Sequence, residues 1–339
     1  MPSPIPVTRL LPREFYPSVN LGPCSSPLER PGKDWAVPAQ GFKPRSVLKL
    51  WSCVINWPEL QLLQPIGSGG FGSVYKGSYY GKTVAVKKVK KCTKNKLASK
   101  HSFWSELNAA HLKHDNIVRV VAATTCIPDN LENRDNIGTI IMEYTGTTTL
   151  QQLIYGSSEP LDMETRVKYC KDIAQGLHFL HSHCIAHLDL KPANVLLAGG
   201  DVCKIADFGC SQKLERCKGV RSASHRGCHL GGTYTHRAPE LLRGETATLK
   251  ADIYSFAITF WQLITGEQPY SGDRQPVLYA VVAYDLRPAV TGRVFNGSPV
   301  GHTCKAVLCM CWHKNPGERP SAKELIGQIE IVQDTLKTK

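Results

Sequence analysis

Gly67-Ser68-Gly69-Gly70-Phe71-Gly72-Ser73-Val74-Tyr75 is the stretch that decides the fold. Its first six residues contain G-x-G-x-x-G, a spacing shared by two unrelated phosphate-binding arrangements. With 28 glycines in 339 residues the motif alone carries little weight, so its context decides. In a doubly wound α/β domain the glycines open a helix and an acid follows about 20 residues later. Here Ser73-Val74-Tyr75 continues as strand, and no acidic residue occurs between Glu59 and Glu106. The glycines therefore predict a hairpin turn that lies over an anion, where missing side chains let backbone amides come close.

Outward from the turn, residues 59–89 read as strands. Leu60, Leu62 and Ile66 lead into the glycines, Tyr80-Gly81-Lys82 makes a turn, and residues 83–89 are rich in β-formers. A helix is expected over residues 97–112, with Phe103, Leu107 and Ala110 at helical spacing. Further strands are expected at 117–123 and 139–142. From Asp162, a candidate N-cap, helices dominate; Val167, Cys170, Ala174, Leu177 and His181 repeat at three and four. Residues 251–265 are apolar nearly all round and predict a buried central helix. A β-rich front and a helical back predict two lobes of an α+β fold rather than a parallel sheet.

Residues 1–56 hold 10 of the 22 prolines, which block helix and remove backbone donors, so an extended or disordered arm is expected. Apolar residues near its end, among them Val54 and Ile55, are expected to dock on the folded part. The formal net charge of +13 is uneven. Seven lysines and no acid fall in 87–100, and six Lys/Arg against one acid in 208–238. The lysine run reads as a solvated basic face, and the basic 208–238 segment is expected to favour partners with acidic residues; no interleaved aromatics favour nucleic acid, and none is expected as a partner. The 13 cysteines are odd in number and scattered, with no Cys-x-x-Cys, so free thiols are expected. No run of about 18 apolar residues predicts a membrane helix, and no secretory signal is expected.

The polar chemistry is ordered along the chain. Val84-Ala85-Val86-Lys87 ends a strand pattern in a lysine. Glu106 is the only acid between Glu59 and Asp115, so a buried Lys87–Glu106 pair is expected, with Lys88 on the opposite, solvated face. His187-Leu188-Asp189-Leu190-Lys191-Pro192-Ala193-Asn194 sets an acid, a lysine and an asparagine at offsets 0, +2 and +5. Asp207-Phe208-Gly209 follows 18 residues after Asp189, and Ala238-Pro239-Glu240 comes later.

These elements, in this order and spacing, resemble those of the eukaryotic serine/threonine protein kinases, from about Trp57 to the C-terminus. The resemblance implies a bilobal fold over 57–335: a small β-rich N-lobe at about 57–142, a hinge at 143–147 and a larger, mainly helical C-lobe at 148–335. It implies ATP and Mg²⁺ as cofactors and protein Ser/Thr as acceptor. Asp189 would be the catalytic base, Lys191 would steady the transferring phosphate, and Asn194 and Asp207 would hold magnesium. ATP would be bound by Ile66, Gly67, Gly69, Gly72, Val74, Ala85, Lys87 and Glu106, with Met142 as gatekeeper and Glu143 and Tyr144 in the hinge. Asp252 would brace the catalytic loop, and Glu240 with Arg319 would form a structural ion pair. Lys191 and Thr233 favour serine/threonine over tyrosine, and the presence of Lys87, Asp189 and Asp207 disfavours an inactive scaffold.

Finer details, Pro2-Ser3-Pro4, His187-Leu188-Asp189 and Asp207-Phe208-Gly209-Cys210-Ser211 among them, are similar to a branch of germ-cell MAP kinase kinase kinases. That implies a cytoplasmic, monomeric enzyme acting on MAP kinase kinase in oocyte meiosis. Leu188 departs from the arginine usual before the catalytic aspartate. Leucine cannot grip a phosphate on the activation segment, so activity independent of such a contact is expected. Control by abundance is expected instead, with the Pro2-Ser3-Pro4 arm as a candidate degradation signal.

Overall fold

The computed structural model describes residues 54–69, 72–90, 96–126, 136–156, 161–214 and 234–338. The arm up to Cys53, Gly70 and Phe71 of the glycine stretch, Lys91 and Lys94 of the lysine run, and Ser222, Ser224, Gly232 and Thr233 lie outside the described residues.

Strands β1 (Leu60–Gly69) and β2 (Gly72–Tyr79) pair antiparallel, with Gly69 opposite Gly72, so the glycine stretch is a hairpin and not a helix start. Strand β3 (Lys82–Lys90) continues the sheet, and helix α1 (Lys96–Glu106) follows. Strands β4 (Val120–Thr124) and β5 (Asn136–Glu143) complete it in the order β1-β2-β3-β5-β4. Two apolar clusters flank the sheet. Ile55, Tyr79, Val84, Val86, Ala122 and Ile141 form one; Val89, Phe103, Ala110, Val120, Ala123 and Ile140 form the other. The alternation Val84-in, Ala85-out, Val86-in is the period of two that a strand imposes.

Three expectations about the front shift. The helix expected over 97–112 ends at Glu106 and tightens into a 3₁₀ turn at Leu107–Ala109, a common way for a helix to close. Ile117 makes only an isolated parallel bridge to Ile205, and the strand proper starts at Val120. Of the arm residues expected to dock, Ile55 is buried beneath the sheet while Val54 stays exposed.

The back is helical. Helix α2 (Leu150–Gly156) precedes α3 (Met163–Ser182), whose N-cap Asp162 accepts from the Thr165 N–H at 2.7 Å. Short strands β6 (Ile185–Ala186), β7 (Val195–Ala198), β8 (Val202–Ile205) and β9 (Gln212–Lys213) pair as β6-β9 and β7-β8. At two to four residues each they are too short to show a sequence period, and they frame the loops that carry Asp189 and Asp207. Then come α4 (Pro239–Leu242), α5 (Lys250–Thr265), α6 (Arg274–Ala283), α7 (Arg293–Asn296), α8 (Pro299–Cys311) and α9 (Ala322–Lys337). Every residue of α5 from Ala251 to Ile264 is buried, as its all-round apolar sequence predicts, and Gly266 ends it in the left-handed conformation. The bidentate Arg319–Glu240 pair, at 2.6 and 2.8 Å, is buried and ties the start of α4 to the approach of α9. Among the described residues no helix is long and apolar enough to cross a membrane, and none of the eight described cysteines is in a disulfide.

Candidate active site

Lys87 lies on β3 with its side chain buried. Its ammonium meets Glu106 Oε2 at 2.9 Å and Asp207 Oδ1 at 2.7 Å, so one cation joins sheet, helix and loop. Burial works against the charged lysine, but the two carboxylates outweigh it and hold its pKa above the usual lysine value. The same cation, against burial, holds Asp207 below the usual carboxylate range. Burial, with Asp207 nearby, holds the Glu106 carboxyl up against the pull of Lys87. The neighbouring Lys88 is half-buried rather than fully solvated, with its ammonium 5.4 Å from the centre of the Tyr75 ring.

Two glycines are fixed by contact. A Cβ on Gly72 would lie 2.2 Å from the Lys88 carbonyl oxygen, so this glycine serves strand packing. A Cβ on Gly209 would meet Ser102 Oγ at 2.6 Å, with Asp207 and Glu106 close behind. Gly67, in contrast, has nothing within 4 Å of its Cβ position and leaves open space beside the hairpin. Ile66, Val74 and Ala85 are half-buried, as are Met142, Glu143 and Tyr144 where β5 ends. Met142 lies opposite Ala85 across β3 and β5. The Glu143 carboxylate accepts from the Arg119 N–H at 2.9 Å and from Lys204 at 3.0 Å.

The loop from 187 to 194 is fixed from below. Asp252, in the first turn of α5, is wholly buried and accepts from the main-chain N–H groups of His187 (2.9 Å) and Leu188 (2.8 Å) and from His181 Nε2 (2.9 Å). Burial would raise its carboxyl, but the His181 hydrogen bond and charge, with the main-chain donors, hold it below the ordinary range. His187 Nε2–H donates to the Ala206 carbonyl at 3.0 Å, and its Nδ1 accepts from the Asp189 N–H at 3.3 Å, which sets the tautomer. Its ring meets Phe208 edge-on at 5.1 Å, and Phe208 is buried in the large core. Leu188 and Asp207 both take positive φ, 63° and 61°. Left-handed backbone disfavours a non-glycine side chain, and here it turns each residue out of its strand direction. The Leu188 side chain packs against the large core.

Asp189 Oδ2 receives Lys191 Nζ at 2.9 Å and Asn194 Nδ2 at 3.0 Å. Asn194 Nδ2 also donates to the Asp189 carbonyl at 2.9 Å. Because the amide nitrogen is committed to Asp189, Asn194 presents its oxygen as a ligand. Asp207 keeps a part-exposed carboxylate. An amide oxygen and a carboxylate are hard donors, and magnesium in such sites takes one or two protein oxygens with phosphates and water. The donor set fits that ion.

Sequence reading pairs Lys87 with Glu106 and groups Asp189, Lys191 and Asn194 on one loop, and the structure adds Asp207 to the first set. Sequence reading misses a latch beside them. Ser211 Oγ donates to the Ser105 carbonyl at 2.7 Å, and Asn108 Nδ2 donates to Ser211 Oγ (3.0 Å) and O (3.2 Å). Ser105 and Asn108 bracket Glu106, so the latch fastens the end of α1 to the segment after Asp207. No local pattern marks these three residues, because their pairing spans about a hundred positions.

The family model described as protein kinase domain matches residues 60–328. The chain is 55% identical to the serine/threonine-protein kinase mos of Xenopus laevis, over 97% of this chain and 92% of that protein. It is 52% identical to the serine/threonine-protein kinase mos of Gallus gallus, over 99% and 100%. It is 51% identical to the proto-oncogene serine/threonine-protein kinase mos of Mus musculus, again over 99% and 100%.

Proposed function

The chain belongs to the protein kinase family and, within it, to the mos serine/threonine kinases, and from that premise we propose how its residues divide the work. The single observation that carries the reading is the convergence of Lys87, Glu106 and Asp207 within 3 Å contacts, next to a loop that holds Asp189, Lys191 and Asn194 together. Asp189 accepts the proton of the substrate serine or threonine hydroxyl as its oxygen forms a bond to the γ-phosphorus of ATP and ADP departs. Lys191 stays beside Asp189 and steadies the transferring phosphoryl group. Lys87, aimed by Glu106, neutralises the phosphates nearer the ribose. Asp207 and Asn194 hold magnesium, which when bound spreads the charge of the phosphate oxygens. Gly67 with Ile66, Gly69, Val74, Ala85, Met142, Glu143 and Tyr144 receives the nucleotide. The residues supply position and charge rather than a covalent intermediate.

The substrate we propose is MAP kinase kinase, phosphorylated by a cytoplasmic monomer during oocyte meiosis. Leu188 supports a further element of the reading: with its side chain packed on the core it offers no donor to a phosphorylated activation segment. The Ser222→Ala/Ser224→Ala double variant is expected to keep its activity, and a collapse would refute this element.

The test of the reaction is transfer of labelled γ-phosphate from ATP to MAP kinase kinase, with Lys87→Arg, Asp207→Asn and Asp189→Asn as comparisons. Loss of the base is expected to lower the rate about 10² to 10⁴-fold. Equal signal from all four proteins would sink the reading. Transfer to other proteins but not to MAP kinase kinase would leave the kinase and remove its proposed substrate.

A further inference from the structure

Helix α5 is buried from Ala251 to Ile264, yet its sequence keeps a polar line. Asp252, Ser255, Thr259 and Gln262 recur at steps of three, four and three, so they share one face of the helix. A polar group inside a core costs stability unless it is hydrogen-bonded, so a row of them calls for a reason. Asp252 holds the main chain of His187 and Leu188, next to the base. Two further members hold one residue, His236, in the turn Tyr234–His236. Ser255 Oγ donates to the His236 carbonyl at 2.8 Å, and Gln262 Oε1 lies 2.6 Å from His236 Nε2. Thr259, between them, is wholly buried, and its Oγ1 makes no hydrogen bond among the described residues. One helix face thus fixes both the loop that carries Asp189 and the turn that carries His236.

The contacts beyond Gln262 decide which way the hydrogens run. The Tyr155 hydroxyl, on α2, donates to the Glu267 carbonyl at 3.0 Å, which leaves its oxygen as an acceptor. Gln262 Nε2 donates to that oxygen at 2.5 Å, so the amide turns Oε1 to His236. An amide oxygen only accepts, so His236 carries its hydrogen on Nε2. Its Nδ1 is left bare and accepts from the Thr235 hydroxyl at 2.9 Å. Burial disfavours a second proton on this ring. Four hydrogen bonds therefore run one way, from Thr235 through His236, Gln262 and Tyr155 to the Glu267 carbonyl. A lone buried pair would be satisfied with the amide either way round; Tyr155 admits only one. His236 also lies within electrostatic reach of Lys191 and Asp189, so its turn borders the place where the acceptor hydroxyl meets the base.

We infer that Tyr155, Gln262 and His236 are positioning residues for the protein acceptor: their one-way relay holds His236 as the Nε2–H tautomer and so sets the turn Tyr234–His236 beside Asp189. The inference rests on the kinase reading above and deepens it. Tyr155 touches no reacting group and lies on α2, yet it governs how the acceptor is received. The nucleotide is received elsewhere, where β5 ends and beside the hairpin, so the relay acts on one substrate and not on the other.

The experiment compares the full chain with Tyr155→Phe, which keeps the ring and loses only the hydroxyl, so the fold is expected to persist. Without that oxygen the Gln262 amide is free to flip and present its N–H to the ring, which moves the His236 hydrogen to Nδ1. Nitrogen NMR of protein carrying isotope-labelled histidine reads the tautomer, the His236 signal being the one absent from His236→Leu. Initial rates on intact MAP kinase kinase are expected to show an acceptor KM raised about fivefold, the worth of one hydrogen bond. The kcat and the KM for ATP are expected to stay within about twofold. His236→Gln, whose amide can donate to Gln262 in place of the ring, is expected to lose less than His236→Leu. An unchanged tautomer in Tyr155→Phe overturns the relay. A changed tautomer with an unchanged acceptor KM, an equal rise in both KM values, or equal losses in His236→Gln and His236→Leu overturns its role in placing the acceptor. Should the parent act on myelin basic protein and not on MAP kinase kinase, the same comparison is read on that protein. Failure of the parent to phosphorylate any protein defeats the kinase reading itself and takes the positioning role with it, whatever the tautomer.

Discussion

Two fully buried carboxylates hold the two halves of the active site, and they are held in opposite ways. Glu106, on the sheet side, depends mainly on a side chain, Lys87, which it shares with Asp207, with a lesser main-chain hydrogen bond from Phe208. Asp252, on the helical side, depends on the main chain: the N–H groups of His187 and Leu188, with the His181 ring alongside. Burial raises the Glu106 carboxyl and Lys87 only partly offsets it. Burial also acts on Asp252, but its hydrogen-bond donors outweigh it and hold the carboxyl down. The sheet-side knot joins β3, α1 and the loop after β8 mainly through side chains, so opening it is expected to break no strand's own ladder. The helical-side cradle is wired into the backbone and has one arrangement. The half of the site expected to open more readily is therefore the half built from side-chain ion pairs.

The strongest way to break that contrast is Asp252→Ala. It orphans two buried main-chain donors and the His181 ring, and the expected loss is about 3–5 kcal/mol of unfolding free energy, with activity abolished. Urea denaturation measures it. A loss below about 1 kcal/mol would show that the cradle is not the fixed element.

Next in size is the acid response of the helical side. His236 is buried, with Nε2 2.6 Å from Gln262 Oε1 and Nδ1 2.9 Å from Thr235 Oγ1. Burial pushes its pKa from 6.5 down to about 4. A depressed folded-state value stabilises the neutral form above the unfolded value, and that stability is lost as pH falls through the folded one. Between pH 6.5 and about 4 the parent is expected to lose about 3 kcal/mol that a His236→Gln variant keeps, at about 1.4 kcal/mol per unit. Parallel stability–pH curves for the two proteins would refute it.

The sheet side is expected to respond with the opposite sign. In Lys87→Met the Glu106 carboxyl loses its cation and rises further. A raised folded-state value stabilises the protonated form below the unfolded value, near 4.5, and that contribution is lost as pH rises through the folded value. The variant's deficit relative to the parent is therefore expected to be about 2 kcal/mol at pH 8 and to shrink by pH 5. This is less than the usual cost of an unpaired buried charge, because Glu106 can take up a proton. Denaturation midpoints at the two pH values test it, and a pH-independent deficit would remove the contrast.

What was legible in the sequence follows the same division. The hairpin was legible because Ser73-Val74-Tyr75 continues as strand, and α5 because no polar face interrupts it. The Lys87–Glu106 pair was legible because the intervening chain holds no other acid. The premature end of α1 was not, since helical spacing runs on through Ala110 while the backbone tightens after Glu106. The short strands β6 to β9 have no period to read. Asp252 and the Glu240–Arg319 pair were visible only through resemblance, because no spacing rule links residues 65 or 79 positions apart. The shallow burial of α6, limited to Val277 and Val281, was not legible either, because an apolar composition does not report which residues pack.

The smallest expected effect sharpens the contrast most finely. The latch of Ser211 with Ser105 and Asn108 is a sheet-side fastening that works without charge. Ser211→Ala removes the donor to the Ser105 carbonyl and one of the two acceptors used by Asn108, which keeps the Ser211 carbonyl. Two hydrogen bonds are lost, but Asn108 keeps the Ser211 carbonyl as an acceptor, so the net cost is about 1 kcal/mol. If the latch holds Glu106 in place, that cost falls on the closed knot, and kcat/KM is expected to drop by up to about fivefold, the change in closed-to-open ratio that 1 kcal/mol produces. The unfolding midpoint should move little, because α1 can part from the loop while the rest of the fold stays intact. If the latch is merely structural, the order reverses: the midpoint falls by the full 1 kcal/mol and kcat/KM holds. Rate and stability measured on the same variant therefore separate a switchable sheet side from one as rigid as the cradle beneath Asp189.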